Sequence, residues 1–116
     1  MATYTVQTVT EAGVVPTYTA VAASDTFTPA TADLDKTHIL HVKNAGGSSD
    51  TVTVDDPSSV TPIAATAFNA DQTGAVANAT ERVFRIDPRR CRNAGTGLIT
   101  VTHSFTTTVT AAVFVG

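Results

Sequence analysis

Five of the seven cationic side chains of this 116-residue chain are arginines that lie within eleven positions, from Arg82 to Arg92. Asp87 is the only acid among them, so this window carries a net charge of +4, whereas two lysines and nine acids give the rest of the chain −7. Guanidinium groups form charge-assisted, often bidentate hydrogen bonds with carboxylates and phosphates. The candidate site with the clearest chemistry is therefore a cationic, protein-interaction site at Arg89, Arg90 and Arg92.

The charge balance of the whole chain argues against nucleic acid as the partner of these arginines. Nucleic-acid-binding domains usually have a basic balance and aromatic side chains beside their cations for base stacking. This chain carries a net charge of −3 at neutral pH, and Phe84 is the only aromatic residue among the arginines. We expect protein carboxylates as the partners, and a solvated turn without a partner is the alternative.

The three histidines lack the spacing of a metal site. His38 and His41 are three positions apart in a segment with strand character, so their side chains leave opposite faces, and His103 lies far along the chain. Zinc sites often add paired cysteines, but Cys91 is the only cysteine here. The sequence predicts no metal ion and no cofactor, and it places the histidines in solvent or at the edge of the core.

The remaining reactive side chains give no catalytic motif. Arginines flank Cys91 and favour its thiolate, but no local motif supplies the base that a cysteine nucleophile needs, so we expect Cys91 to pack as a small apolar residue. Aspartates at positions 33 and 35, and at 50, 55 and 56, leave a calcium site in a loop as an alternative. The sequence predicts that the protein is not an enzyme.

The elements that position these residues are predicted to be strands. Threonine occurs 23 times and valine 15 times, and both are β-branched residues that favour strands over helices. Alternating apolar and polar residues recur along the chain, while helical periodicity is nearly absent. The predicted strands are 3–9, 17–22, 37–44, 50–56, 74–79, 81–86, 97–105 and 108–116, with a loop at 25–36. We expect 37–44 and 50–56 to be joined as a hairpin, and 97–105 and 108–116 to form the closing hairpin.

The arginines are predicted to lie on a corner after one of these strands. Asp87 followed by Pro88 is typical of a helix N-cap and first helical position, which predicts one short helical turn near 88–92. Arg82 and Arg85 leave opposite faces of the preceding strand and are expected to stay outside the corner patch. The predicted site therefore consists mainly of the three arginines on the turn.

These patterns predict one all-β domain over residues 1–116. The favoured architecture is an antiparallel β-sandwich or a small jelly-roll-like barrel of about seven or eight short strands. Gly13 and Pro16 separate the first residues from the rest, so residues 1–12 are a candidate for an extended N-terminal arm that adds a strand to a neighbouring molecule.

Signals for secretion or membrane insertion are not expected in this chain. Its first ten residues, "MATYTVQTVT", have neither the cationic start nor the apolar stretch of a secretory signal. The longest apolar run, "AAVFV", is much too short to cross a bilayer. We expect a protein that is made in a cytoplasm, stays soluble and does not bind membranes.

Two stretches, "ILHVKNAGGSSDTVTVDDP" (39–57) and "ATERVFRIDPRRCRNAGTGLITVTHSFTTTVTAAVFV" (79–115), resemble small virion structural proteins of tailed bacteriophages. They are similar in style to head decoration, or cement, proteins. The resemblance implies a β-rich protein on the outside of the capsid, where it binds the major capsid protein and neighbouring copies of itself, with a trimer favoured. It implies stabilisation of the shell, and it carries over neither catalytic residues nor a cofactor.

Two other functions remain open at this point. The first is a second role in the virion, as a β-domain of the tail or of the head–tail connector, which sixfold rings rather than trimers or monomers would indicate. The second is a carbohydrate- or surface-binding module. Such modules need exposed aromatic residues, and only Tyr4 and Tyr18 are available because the chain has no tryptophan.

Overall fold

A computed structural model of the chain describes residues 1–57 and 71–116. Nine strands and one four-residue helix lie in this part of the chain, together with a 3-10 turn at Thr31–Asp33. They are β1 (Val6–Thr8), β2 (Thr19–Ala20), β3 (Ser24–Phe27), β4 (His38–Asn44), β5 (Asp50–Val54), β6 (Gln72–Val76), β7 (Thr80–Ile86), α1 (Pro88–Cys91), β8 (Ile99–His103) and β9 (Val109–Val115). The predicted all-β fold is confirmed.

The strands form two sheets around one apolar cluster. One sheet has the order β1-β9-β4-β7, with β2 also paired to β9, and the other has the order β3-β8-β5-β6. All strand pairs are antiparallel except β1 with β9. Because inward-facing residues of both sheets share the core, the architecture is a β-sandwich.

Alternation along the strands decides which side chains enter the core. Val52 and Val54 are buried on β5, as are Phe84 and Ile86 on β7. The predicted stripe on the last strand is also buried, and it consists of Val109, Ala111, Val113 and Val115. These face assignments from the sequence are confirmed, since a period of two is a local property of an extended chain.

The predicted pairing of consecutive strands is wrong in two places. β8 pairs with β3 and β5, whereas β9 pairs with β1, β2 and β4 in the other sheet. The segments 97–105 and 108–116 therefore form an arch between sheets and not a hairpin. The same is true of 37–44 and 50–56, because β4 and β5 also belong to different sheets.

Buried polar side chains stabilise both arches by binding their main chain. Asn44, at the end of β4, donates from Nδ2 to Ser48 O at 2.7 Å and to Val76 O at 3.0 Å. The Asp50 carboxylate accepts the N–H groups of Ser104 and Phe105 at 3.0 and 3.2 Å. A buried backbone group without a partner is costly, so these two side chains make tight crossings between sheets possible.

The N-terminal segment closes one side of the sandwich. Thr26 exchanges main-chain hydrogen bonds with Ala2 and Tyr4 at 3.0 and 2.9 Å, while β1 pairs with the opposite sheet at β9. Residues 25–27, which were predicted as part of a loop, thus belong to β3, and Thr26 is paired on both sides. In the single chain, the candidate arm at residues 1–12 contributes a strand to its own molecule. Exchange of that strand between copies stays a prediction.

Side chains bridge the opposite side of the sandwich, between β6 and β7. Gln72 donates to Arg85 O at 2.7 Å, and Arg82 Nη1 donates to Ala75 O at 3.0 Å. Gly74 is needed between these strands, because a Cβ there would lie 2.7 Å from the Phe84 ring. These contacts occupy main-chain acceptors that an unprotected edge strand would leave open.

Candidate functional site

An open cleft of about 660 Å³ lies where β7 leads into α1. It is bounded by the end of β7, by the helix and by the chain that precedes β4. Its lining, within the described residues, consists of Leu34, Asp35, Lys36, Thr37, Gln72, Arg85, Asp87, Arg89 and Arg90. We refer to this set as the cationic cleft, because four cations and two carboxylates line it.

Local sequence explains the position of α1. Asp87 caps the helix by accepting the N–H of Arg89 at 3.0 Å, and Pro88 occupies the first turn, so the predicted helical turn is confirmed. Pro88 and Cys91 are buried and anchor the turn to the core. Since α1 is fixed in this way, Arg89 and Arg90 are left on its exposed side.

Arg90 is already engaged within the molecule. Its Nε lies 3.1 Å from Asp56 Oδ2, and the Asp56 side chain is 1% exposed. The Asp56 N–H in turn donates to Asp71 Oδ1 at 2.8 Å. A buried carboxylate needs such a partner, and Arg90 therefore contributes to the framework of the cleft as well as to its charge.

Arg85 and Arg89 present their guanidinium groups without an ion pair or hydrogen bond to any residue in the described part of the chain. Both side chains are exposed. The expectation that Arg85 stays outside the patch is wrong, because the end of β7 and the chain before β4 bring it into the same cleft as Arg89. Side-chain alternation predicted correctly which face of β7 carries Arg85. It did not predict which segments of the chain lie beside that face.

The other two arginines of the window lie outside the cationic cleft. Arg82 bonds to Ala75, and its guanidinium carbon is 5.6 Å from the centroid of the Phe84 ring, so it covers the core next to Gly74. Arg92 follows α1 and lies beside Gly97. Of the three predicted site residues, the cleft thus brings together Arg89 and Arg90 but not Arg92.

Lys36 brings a further cation into the cleft, and it is partly neutralised. Its ammonium lies 3.1 Å from Asp33, which does not line the cleft. Asp35 and Asp87 place two carboxylates on the lining. The cleft therefore offers hydrogen-bond donors with positive charge beside a smaller number of acceptors.

A second polar cluster lies in the core, and sequence reasoning missed it. His103 Nδ1 is 2.6 Å from Asp50 Oδ2, and its Nε2 is 2.9 Å from the Tyr4 hydroxyl. That hydroxyl donates to Asp25 Oδ2 at 2.5 Å. Burial, and then the bond to Asp25, raise the pKa of Tyr4 far above its ordinary value, so the hydroxyl keeps its proton.

This buried cluster joins residues that are catalytic in other settings, but its side chains are shielded from solvent. The side chains of His103, Asp25 and Asp50 are fully buried, and Tyr4 is 2% exposed. The Asp25 carboxylate also accepts the N–H groups of Ala2 and Ala22 at 2.8 and about 3.0 Å. The arrangement serves to fix the N-terminal segment to β3, β5 and β8.

The other two histidines occupy different places. His41 is half-buried between the Tyr18 hydroxyl, at 2.8 Å from Nδ1, and Glu81 Oε1, at 2.6 Å from Nε2. His38 is fully buried against Phe27, where its Nδ1 lies 3.1 Å from Lys36 O. His38 and His41 leave opposite faces of β4, as predicted.

The predicted carboxylate groups are dispersed among different partners. Asp50 binds His103, Asp56 binds Arg90, and Asp33 binds Lys36. Asp55 is exposed, and partial desolvation of its carboxyl, together with the negative charge of the nearby Asp71, raises its pKa. Within residues 1–57 and 71–116, no group of three or more potential ligands is arranged to hold a metal ion.

Cys91 and the two tyrosines complete the set of candidate residues. Cys91 is buried, and that burial raises the pKa of its thiol even though Arg90 acts in the opposite direction. The predicted packing of Cys91 on the core is confirmed.

The two tyrosines lie in different surroundings. Tyr4 lies in the core, and the Lys43 ammonium lies over the ring of Tyr18, 4.0 Å from its centroid. Tyr4 is therefore not available as the exposed aromatic residue that a sugar-binding module needs.

No helix among the described residues is long and apolar enough to span a bilayer. Comparison with known proteins found no matching family, and no curated protein or solved structure showed a significant match.

Proposed function

We propose that this chain is a non-enzymatic structural protein of a tailed-phage virion, which binds the outside of the capsid and stabilises it. The observation that carries the proposal is the cationic cleft, where Arg85 and Arg89 lack an intramolecular partner within the described residues. The resemblance of residues 39–57 and 79–115 to decoration proteins supplies the context. The partners are the major capsid protein and neighbouring copies of the chain, with a trimer favoured.

The physical properties of the molecule fit this function. A decoration protein has to present a fixed surface to a lattice of identical sites, and many weak contacts add up when subunits bind together. Here the sheets cross at tight arches that buried Asn44 and Asp50 stabilise. Arginine on such a framework suits protein interfaces, because its planar group pairs with carboxylates at low entropic cost.

Co-sedimentation with phage heads tests the proposal. The purified chain is mixed with mature and with immature heads of its source phage, and the copies that pellet per head are counted. We expect saturable binding at many copies per head, stronger on mature shells, and a capsid that resists heating better when decorated. Binding limited to a single ring of copies would assign the protein to the tail or the connector, and the absence of binding would contradict a role on the virion surface.

A further inference from the structure

The cationic cleft presents guanidinium groups that the described part of the molecule leaves without an ion pair. Arg90 pairs with Asp56 and Lys36 with Asp33, while Arg85 and Arg89 have no such partner within the described residues. The two carboxylates of the lining lie beyond ion-pair distance of these guanidinium groups. Arg85 and Arg89 are therefore available for charge-assisted hydrogen bonds with an anionic group from outside.

The rest of the lining selects the kind of anion. Asp35 and Asp87 contribute two carboxylates, and Thr37 contributes a hydroxyl. These acceptors can take hydrogen bonds from the N–H groups of a polypeptide, and a chain of phosphates has no such donors. No aromatic residue is among the lining residues described, and the net charge of the protein is −3, so both features expected of a nucleic-acid site are missing from this surface.

We propose that the cationic cleft binds an acidic segment of a partner protein, with Arg85 and Arg89 contacting its carboxylates. The inference rests on the proposed function for the identity of that partner, which is the protein of the shell. Arg89 is held by the capped helix α1, and Arg85 lies on β7 opposite Ile39 of β4. Because the main chain at both arginines is already fixed, little backbone conformational entropy is lost at these positions on binding.

The test compares single substitutions that remove the same charge. Arg85→Gln and Arg89→Gln remove the two guanidiniums, and Lys43→Gln is the matched control, because Lys43 lies over Tyr18 and outside the cleft. Each variant is measured in the head co-sedimentation assay, and by fluorescence anisotropy against a labelled hexaglutamate peptide and a labelled single-stranded oligonucleotide. Melting curves confirm that each variant is folded.

We expect each cleft variant to bind heads and peptide about tenfold more weakly, the loss that one charge-assisted contact provides, and Lys43→Gln to stay within about twofold of the wild type. If heads bind normally and both cleft variants behave like the control, the inference is wrong while the proposed function stands. If heads do not bind but the peptide binds in an Arg85- and Arg89-dependent manner, the inference is supported and the proposed function is contradicted. The inference would be overturned if the protein bound neither heads nor peptide. It would also be overturned if the protein bound the oligonucleotide more tightly than the peptide.

Discussion

At the scale of single residues, the Tyr4 hydroxyl is the link between the N-terminal segment and two strands of the core, β3 and β8. It contacts Asp25 Oδ2 and His103 Nε2, and all three side chains are shielded from water. Tyr4→Phe keeps the ring but leaves a buried carboxylate and a buried imidazole each short of one hydrogen bond. We expect the free energy of unfolding in urea to fall by about 1–3 kcal/mol.

Tyr18→Phe is the matched control for this substitution. The Tyr18 hydroxyl also bonds to a histidine, at 2.8 Å from His41 Nδ1, but that site is only half-buried and water can replace the lost group. We expect a loss below about 1 kcal/mol. Equal losses in the two variants would show that the buried cluster contributes no more than a surface contact.

The cost of Tyr4→Phe should depend on pH in the alkaline range. Burial raises the folded-state pKa of Tyr4 above its ordinary value of 10.0, so above that pH the unfolded chain ionises first. The stabilisation from the buried phenol is fully present below pH 10 and is lost as the pH rises further. The difference in unfolding free energy between the wild type and Tyr4→Phe is therefore expected to shrink above pH 10.

At the scale of elements, the two arches that link the sheets pack directly against each other. A Cβ on Gly46, in the β4–β5 arch, would lie 2.3 Å from Thr107 O and 2.5 Å from the Phe105 ring. Gly46→Ala must therefore displace main chain of the β8–β9 arch, and we expect a loss of about 1–3 kcal/mol of stability. Gly47→Ala, the adjacent control, meets nothing within 4 Å and should leave the melting temperature nearly unchanged.

Most of the strands could be predicted from the sequence, but β3 and the pairing of the strands could not. A period of two and the Asp87-Pro88 cap are encoded in consecutive residues, so the buried faces and α1 followed directly. A hairpin and an arch differ in the turn between the strands. In the turn between β8 and β9, Thr108 adopts a φ of 59° although no glycine marks that position. The hydrogen bond that stabilises this turn is accepted by the Asp50 carboxylate, more than fifty residues away. Such a contact has no local signature.

The candidate site shows the same division between local and distant information. The sequence identified the arginines and the corner that carries Arg89 and Arg90. It misplaced Arg85, because the cleft is completed by Lys36 and Gln72 from distant segments. The buried cluster went unnoticed for a similar reason, since tyrosine, histidine and aspartate are usually found at least partly in water and their positions follow no shared motif.

At the scale of the whole molecule, the N-terminal segment determines whether the sandwich has an open side. Residues 2–4 pair with β3 in one sheet, and β1 pairs with β9 in the other. Without this segment, both of these strands would expose main-chain donors and acceptors, and exposed edges are templates for pairing with another chain. The segment is thus part of the fold as well as a candidate for strand exchange.

These two roles predict different results when residues 2–8 are deleted. A free arm would leave the melting temperature unchanged and alter only assembly. The structure instead predicts a much lower melting temperature, because the deletion removes Tyr4 from the core together with β1. It also predicts self-association that increases with concentration in light scattering. A synthetic peptide of residues 1–9 should restore stability when added, since its pairing sites on β3 and β9 remain in the truncated chain. An unchanged melting temperature would show that the sandwich closes without this segment.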